Sequence, residues 1–195
     1  VREAVMVKSI LLVGVGGQGT ILAAKLLTTG LMEAGYDVKM SEIHGMSQRG
    51  GSVSSQVRYG DEKVHSPVIE VGGADILVSF ERMEALRWLR FLKPGGRAVV
   101  NDYRINPMPV VSGKVEYPEG ILEELRSKAD ASVVDAATEA SKLGNSKVMN
   151  VILLGAAIRS MGLLSIDWPR IIRENVKPAF VELNLKALEV GMALV

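Results

Sequence analysis

The sequence predicts an α/β fold: an open, largely parallel sheet flanked by helices, with an added antiparallel hairpin and a C-terminal cluster of helices. Three observations predict it. Aliphatic runs bounded by glycine or polar residues recur at Ser9–Val15 ("SILLVGV") and Ala74–Phe80 ("ADILVSF"), as in strands buried on both faces. Segments with helical spacing alternate with such runs, beginning with Thr20–Ala34. Aromatic residues make up only 5% of the chain, so Ala, Val, Leu, Ile and Gly carry the apolar content, which suits aliphatic strands under small-residue helices.

Each element has its own reason. Ser9–Val15 is continuous, aliphatic and ended by glycines. Thr20–Ala34 places Ile21, Ala24, Leu27 and Leu31 on one helical face, with Gly35 as its stop. Asp37–Ile43 is a short second strand. In Val53–Tyr59, Val53, Ser55, Val57 and Tyr59 alternate with Ser54, Gln56 and Arg58, predicting a half-exposed strand. "YGDEK", Tyr59–Lys63, predicts a hairpin turn leading into an edge limited by Pro67.

Beyond Ala74–Phe80, Met83–Leu92 is a helix closed by the turn "KPGG", Lys93–Gly96, and Arg97–Asn101 is again a strand. Asp102–Pro118, with Pro107, Pro109 and Pro118, is expected to be a surface excursion rather than a domain boundary, because strands resume after it. Glu119–Lys128 reads as a helix and Ser132–Asp135 as a strand. Thr138–Leu143, Lys147–Met161, Asp167–Asn175 and Pro178–Val190 read as helices. This β-α-β order, with strands and helices alternating after it, predicts an open, largely parallel sheet flanked by helices.

Length and composition bound the function. With 195 residues the expectation is a single domain, 1–195, and 48% hydrophobic content supplies a sizeable core. A net charge of +1 gives no field for nucleic acid. Without cysteine the chain has no disulfide, thiolate nucleophile or Cys-ligated iron–sulfur cluster. Two histidines, His44 and His65, leave little for a zinc site. The N-terminal run ends in a glycine loop without a small-residue cleavage site, so no signal peptide is expected. Val148–Ile158 is too short for a bilayer, which needs about 20 residues, so the expectation is a cytoplasmic chain without membrane contact.

"GVGGQG", Gly14–Gly19 with Gly16 and Gly17 inside it, matches G-x-G-x-x-G between a strand and a helix. Glycine there lets backbone N–H groups approach an anion at a helix N-terminus. Glu42 follows roughly 20 residues on, where a ribose-binding acid would sit. The motif serves equally well as a tight turn without a nucleotide, and Gln18 adds a polar side chain suited to reaching a partner.

"HGMSQRGG", His44–Gly51, follows the second strand, on the edge that hosts ligands in open α/β sheets. The same rim is expected to receive the glycine loop, Glu42, Glu81, Asn101 and Asp102. Arg49 could take a carboxylate or phosphate bidentately, or sit in a surface ion pair. Gly45, Gly50 and Gly51 would let backbone come close to a neighbour, beside the amide of Gln48. Met46 fits an interface contact and a gap-filling core residue equally. His44 lacks a visible orienting partner and is a poor general base. Asp75, Asp102 and Asp135 sit at strand ends, where carboxylates cap or are solvated, and Asn145 reads as an N-cap. Asn150, an amide in an apolar helix, needs a hydrogen bond and is expected to tie the C-terminal helices to the rim. Val148–Ile158 is apolar nearly all round, which predicts burial between the sheet and a neighbouring subunit.

With these residues in place, "GVGGQGTILAAKLL", "EIHGMSQRGGSVSSQVRYG", "SPVI", "ADILVSFERMEALR", "LKPGG" and "GNSKVMNVILLGA" together resemble the small subunits of indolepyruvate–ferredoxin oxidoreductases. Those are homologous to the gamma subunit or domain of pyruvate and other 2-oxoacid–ferredoxin oxidoreductases. The resemblance spans nearly the whole chain, and "HGMSQRGG" is its most specific block. It implies a Rossmann-like subunit of a complex that decarboxylates a 2-oxoacid oxidatively with coenzyme A and passes electrons to ferredoxin. It implies that thiamine diphosphate and the iron–sulfur clusters belong to a large partner subunit, and that this chain alone binds no cofactor. It makes the two rim loops partner-facing, with Gln18, Glu42, His44, Gln48 and Arg49 near the large subunit, substrate or coenzyme A. The bond-breaking step falls to none of them, because thiamine diphosphate supplies that chemistry. A gamma subunit for pyruvate or another 2-oxoacid and a stand-alone nucleotide enzyme remain the alternatives. A bare partner-facing rim also leads to the expectation of self-association by the isolated chain.

Overall fold

Residues 6–45 and 50–195 are described, in a computed structural model of the chain. The sheet has six strands in the order β2-β3-β1-β4-β5-β6. These are β1 (Lys8–Val15), β2 (Asp37–His44), β3 (Ser52–Gly60), β4 (Ala74–Ser79), β5 (Leu92–Asn101) and β6 (Asp130–Val134). The helices are α1 (Thr20–Glu33), α2 (Arg82–Trp88), α3 (Met108–Val111), α4 (Ile121–Lys128), α5 (Ala136–Lys142), α6 (Met149–Ser160), α7 (Trp168–Asn175) and α8 (Val181–Ala193). β1, β4, β5 and β6 are parallel, and β3 runs antiparallel to both β1 and β2. The architecture is the expected α/β one, a mostly parallel sheet between helices with one antiparallel insertion.

The hairpin lies elsewhere than the turn residues suggested. It is β2–β3, and its connection is the His44–Gly51 block itself. β3 is not half-exposed either. It enters between β1 and β2, and Ser54, Ser55, Gln56 and Val57 are all buried. After "YGDEK" no strand forms. The segment 61–73 instead hands its backbone groups to side chains. Val64 N–H donates to the Asp37 carboxylate at 2.6 Å, and Ile69 N–H donates to Gln56 Oε1 at 2.6 Å. Arg58 donates to the Ser66 carbonyl at 3.0 Å. Three side chains thereby do the work of a ladder.

Other boundaries moved for local reasons. "KPGG" lies inside β5 as an irregularity, where the register with β4 shifts between Ala74 and Ile76. Ile21 is 58% exposed, and α1 buries Ala23, Ala24, Leu26, Leu27 and Leu31 instead. α3 appears within the Asp102–Pro118 excursion.

Two apolar layers flank the sheet. α1, α5, α6, α7 and α8 contribute to the larger, on the face of Ile10 and Leu12. α2 and α4 cover Leu11 and Val13 on the other face. Each fully buried Leu or Ile here contributes on the order of 1.5–3 kcal/mol. α6 is buried along almost its whole length, but what covers it is α8 of the same chain, not a neighbour. The two helices touch backbone to backbone. A Cβ on Gly155 would lie 2.4 Å from the Leu188 carbonyl, and one on Gly191 would lie 1.9 Å from the Ile152 carbonyl. Only glycine permits that approach.

Candidate functional site

The C-terminal ends of the parallel strands form the rim, and a line of hydrogen bonds stitches it together. Gln18 closes the glycine loop: its Oε1 accepts from Val15 N–H at 2.7 Å, and its Nε2 donates to the Phe80 carbonyl at 2.8 Å. Asn101 Nδ2 donates to the same carbonyl at 3.2 Å, while its Oδ1 accepts from Ala136 N–H at 3.0 Å. β1, β4, β5 and the start of α5 are thus joined in sequence. Gln18 does not reach outward as expected, because its amide is committed at both ends.

Glu81 also points inward. It is fully buried and caps α2 by accepting from Glu84 N–H at 2.9 Å. Its second oxygen accepts from Tyr117 O–H at 2.5 Å and from Ile105 N–H at 3.2 Å. Burial, and then the Glu81 carboxylate, push the Tyr117 phenol well above its usual range, so it stays a donor. Glu81 and Asn101 therefore lie at the rim as expected but serve as internal ties. Nothing in the sequence pairs Tyr117 with Glu81, since the excursion brings them together.

The glycine loop is joined to the hairpin by two backbone bonds. Gly16 N–H donates to the Gly51 carbonyl at 2.8 Å, and Gly50 N–H donates to the Gly16 carbonyl at 3.2 Å. They extend the β1–β3 ladder past its last paired residues, Val15 and Ser52. Ser52 is held in turn by the buried Glu84 carboxylate, which also accepts from Trp88 Nε1 at 3.2 Å. Sequence reading missed this anchor, because Ser52 and Glu84 lie on unrelated segments.

Gly19 precedes α1 with φ of 82°, and a Cβ there would lie 2.5 Å from Asn150 Nδ2. That atom donates to the Gly19 carbonyl at 3.3 Å, so Asn150 ties α6 to the rim as its sequence position suggested. Asn150 Oδ1 is buried and finds no partner among the described residues. An unpaired buried acceptor costs about 1–3 kcal/mol. α1 has no side-chain cap at its N-terminus, so its first amides remain open to an anion. Asp135 and Asn145 act as the expected caps. Asp102 pairs with Arg82.

The loop is a ridge between two cavities. One, of about 310 Å³, lies toward the hairpin and is lined by Gly16, Gly17, Gly19, Ile21, Glu42 and His44. The other, of about 720 Å³, is lined by the same loop with Tyr103, Ile105, Ser146, Lys147 and Asn150. Glu42 and His44 are exposed, and among the described residues His44 Nδ1 approaches only the neighbouring Gly45 carbonyl, at 3.2 Å. No carboxylate orients His44 among the described residues. Met46, Gln48 and Arg49 lie outside the described residues. Because β3 intervenes, Glu42 stands two strand spacings, about 10 Å, from β1. The ribose position of a dinucleotide site is thereby displaced.

Among the described residues no group of three or more His, Cys, Asp or Glu could hold a metal, and no helix is long and apolar enough to cross a membrane. With no cysteine in the chain, an iron–sulfur cluster has no thiolate ligands here.

Comparisons with known proteins agree with this geometry. A family model described as "Pyruvate ferredoxin/flavodoxin oxidoreductase" matches residues 9–194. The "Indolepyruvate oxidoreductase subunit IorB" of Pyrococcus horikoshii is 40% identical over 192 residues, covering 94% of each chain. The "2-oxoglutarate synthase subunit KorC" of Methanothermobacter marburgensis is 29% identical over 97% of each. The crystal structure of pyruvate oxidoreductase subunit PORC from Thermotoga maritima superposes with a TM-score of 0.71 at 23% identity, over 96% of both chains, which shows the shared fold.

Proposed function

The chain belongs to the pyruvate ferredoxin/flavodoxin oxidoreductase family, and from that premise we propose that it is the small subunit of an indolepyruvate, or related arylpyruvate, ferredoxin oxidoreductase. The supporting observation is the 40% identity to an indolepyruvate oxidoreductase subunit over 94% of both chains, against 29% for the 2-oxoglutarate relative. The whole chain, 1–195, acts as one gamma-type unit.

The complex converts a 2-oxoacid, coenzyme A and two oxidised ferredoxins into acyl-CoA, carbon dioxide, a proton and two reduced ferredoxins. The carboxylate leaves as carbon dioxide, the acyl carbon bonds to the CoA sulfur, and the two electrons released pass one to each ferredoxin. Thiamine diphosphate supplies the electron sink at the acyl carbon and resides, with the clusters, in the large partner subunit. A chain with no cysteine and no metal-ligand group among its described residues suits that division of labour.

This chain contributes a surface. Gly17, which is exposed, and Gly19 lie at the N-terminus of α1, where a phosphate of coenzyme A or a carboxylate would be favoured, and Gly14 and Gly16 hold the loop to β1 and the hairpin. Glu42, His44, Gly45, Gly50 and Gly51 belong to the edge proposed to dock on the large subunit, and Met46, Gln48 and Arg49, which lie outside the described residues, are proposed to contribute to the same contact. Gln18, Glu81, Asn101 and Asn150 hold that surface in place from behind. Ferredoxin meets the complex through the partner. The setting is cytoplasmic, and the isolated chain self-associates through the bare edge.

Affinity capture of the native protein should recover a much larger, cysteine-rich partner carrying thiamine diphosphate. A substrate panel on that complex should rank indolepyruvate and arylpyruvates above pyruvate and 2-oxoglutarate. Recovery of the chain alone under mild conditions contradicts the assignment, and preference for 2-oxoglutarate moves it to the other branch. Arg49→Ala is expected to lower activity or assembly of the complex and leave the subunit folded.

A further inference from the structure

We infer that a cavity of about 470 Å³ between α1, α6 and the α7–α8 turn is a small-molecule site for a flat ring bearing N–H donors, joined to an anionic group. Its volume falls within the usual range for ligand pockets. Four asparagines line it: Asn145, whose oxygen accepts from Lys147 N–H, and three more from three helices, Asn150 on α6, Asn175 on α7 and Asn184 on α8. Asn150 and Asn184 are only 5% and 6% exposed, on helices whose other buried positions are apolar or glycine. A leucine would pack there without the cost of burying an amide.

The three helical amides are spent alike. Asn175 Nδ2 donates to the Ile171 carbonyl at 3.0 Å, Asn184 Nδ2 to the Phe180 carbonyl at 2.8 Å, and Asn150 Nδ2 to the Gly19 carbonyl. One N–H of each amide is turned onto backbone, and the oxygen that stands out is Asn150 Oδ1, which is buried without a partner among the described residues. A ligand that satisfies carboxamide oxygens must bring N–H or O–H groups.

Lys147 and Lys177 line the same cavity, and neither has an ion-pair partner among the described residues. They call for an anion. The Phe180 ring, 46% exposed, offers a face on which a planar group can stack. An aliphatic 2-oxoacid lacks the N–H donors, and inorganic phosphate would leave the amide oxygens unmet. Indole carboxylates and purine nucleotides both carry the required combination.

Calorimetric titration of the full chain with indole-3-acetate and with adenosine monophosphate distinguishes the two sources. Phenylacetate, which lacks the ring N–H, and inorganic phosphate serve as controls. Saturable binding by one of the first two is expected, with both controls weaker by about tenfold or more, equivalent to roughly 1.4 kcal/mol. Asn184→Leu and Lys177→Ala should each weaken that binding by about tenfold. These two residues line this cavity and not the larger one beside the glycine loop. Lys177 is exposed, so its variant reads the site even where Asn184→Leu disturbs packing. Absence of saturable binding at millimolar ligand, binding indifferent to both variants, or phosphate binding as tightly as the ring compounds overturns the inference. Binding that survives Lys177→Ala but is displaced by coenzyme A belongs to the glycine loop instead and also overturns it. None of these outcomes bears on the partner-capture test of the oxidoreductase assignment.

Discussion

The glycine loop and the end of β2 are built in opposite ways. The glycine loop, Gly14–Gly19, is held from every side: by the Gln18 amide at both ends, by Asn150 behind it, and by the backbone pair to Gly50 and Gly51. The end of β2 has Glu42, Ile43 and His44 all exposed, and among the described residues the His44 ring meets only the Gly45 carbonyl. The glycine loop resembles the interior of a protein turned to the surface, whereas the end of β2 is exposed. Polar residues of similar type serve rigidity in the first and remain available for contact in the second. Residue type alone therefore does not mark a functional side chain here, and the direction of its hydrogen bonds does.

That contrast can be broken by mutation. Glu81→Ala should have the largest effect on stability, about 3 kcal/mol, because two buried donors and one part-buried donor lose their acceptor. Chemical denaturation measures it, and a loss below about 1 kcal/mol would mean water replaces the carboxylate. Gln18→Ala should cost about 2 kcal/mol by freeing Val15 N–H and one bond to Phe80. Faster hydrogen exchange at Val15 and Gly16 would locate the damage.

The opposite edge of the sheet provides a pH test. Burial opposes ionisation of Asp75, but hydrogen bonds from Lys93 and the Ser9 amide, with the charges of Lys8 and Lys93, outweigh it and hold the carboxyl below its usual range. A lowered folded-state value means that the stabilisation is complete above the unfolded value and is lost as pH falls through the folded one. Asp75→Asn should flatten the acid limb of a stability–pH curve below about pH 4, while leaving the rim unchanged. At the smallest end, Glu42→Ala and His44→Ala should change subunit stability by less than about 0.5 kcal/mol. If the end of β2 docks as proposed, the same changes should weaken the complex. A stability loss as large as that of Gln18→Ala would erase the distinction between the loops.

Much of this was legible before any coordinates. Ser9–Val15 and Ala74–Phe80 carry their strand character in continuous aliphatic runs, and the convergence of the glycine loop, Glu81 and Asn101 follows from strand direction alone. Asn150 was readable because an amide in an apolar helix must find a donor or acceptor. What was hidden depended on partners far away in sequence. Gln18 looked outward because nothing local reveals the Phe80 carbonyl. The alternation of β3 suggested one wet face, yet the 61–73 segment covers that face by bonding to Gln56 and Arg58. "YGDEK" has good turn residues, but after it Asp37 captures Val64 before a ladder can start. Ile21 shared the spacing of the core face but lies beside the hairpin-side cavity, where the sheet no longer covers it.

The insertion of β3 has a bearing on how the chain is made. In an ordinary β-α-β unit the second strand pairs with the first as soon as the crossover is complete. Here β2 is an edge strand whose hydrogen-bonded neighbour is β3, and β3 also separates it from β1. A nascent chain that has emerged only through residue 45 holds two strands that cannot yet join. Residues 52–60 must arrive and bridge them both. The edge that is proposed to meet the partner is therefore completed together with the sheet, so a subunit with its first β-α-β assembled already presents its hairpin.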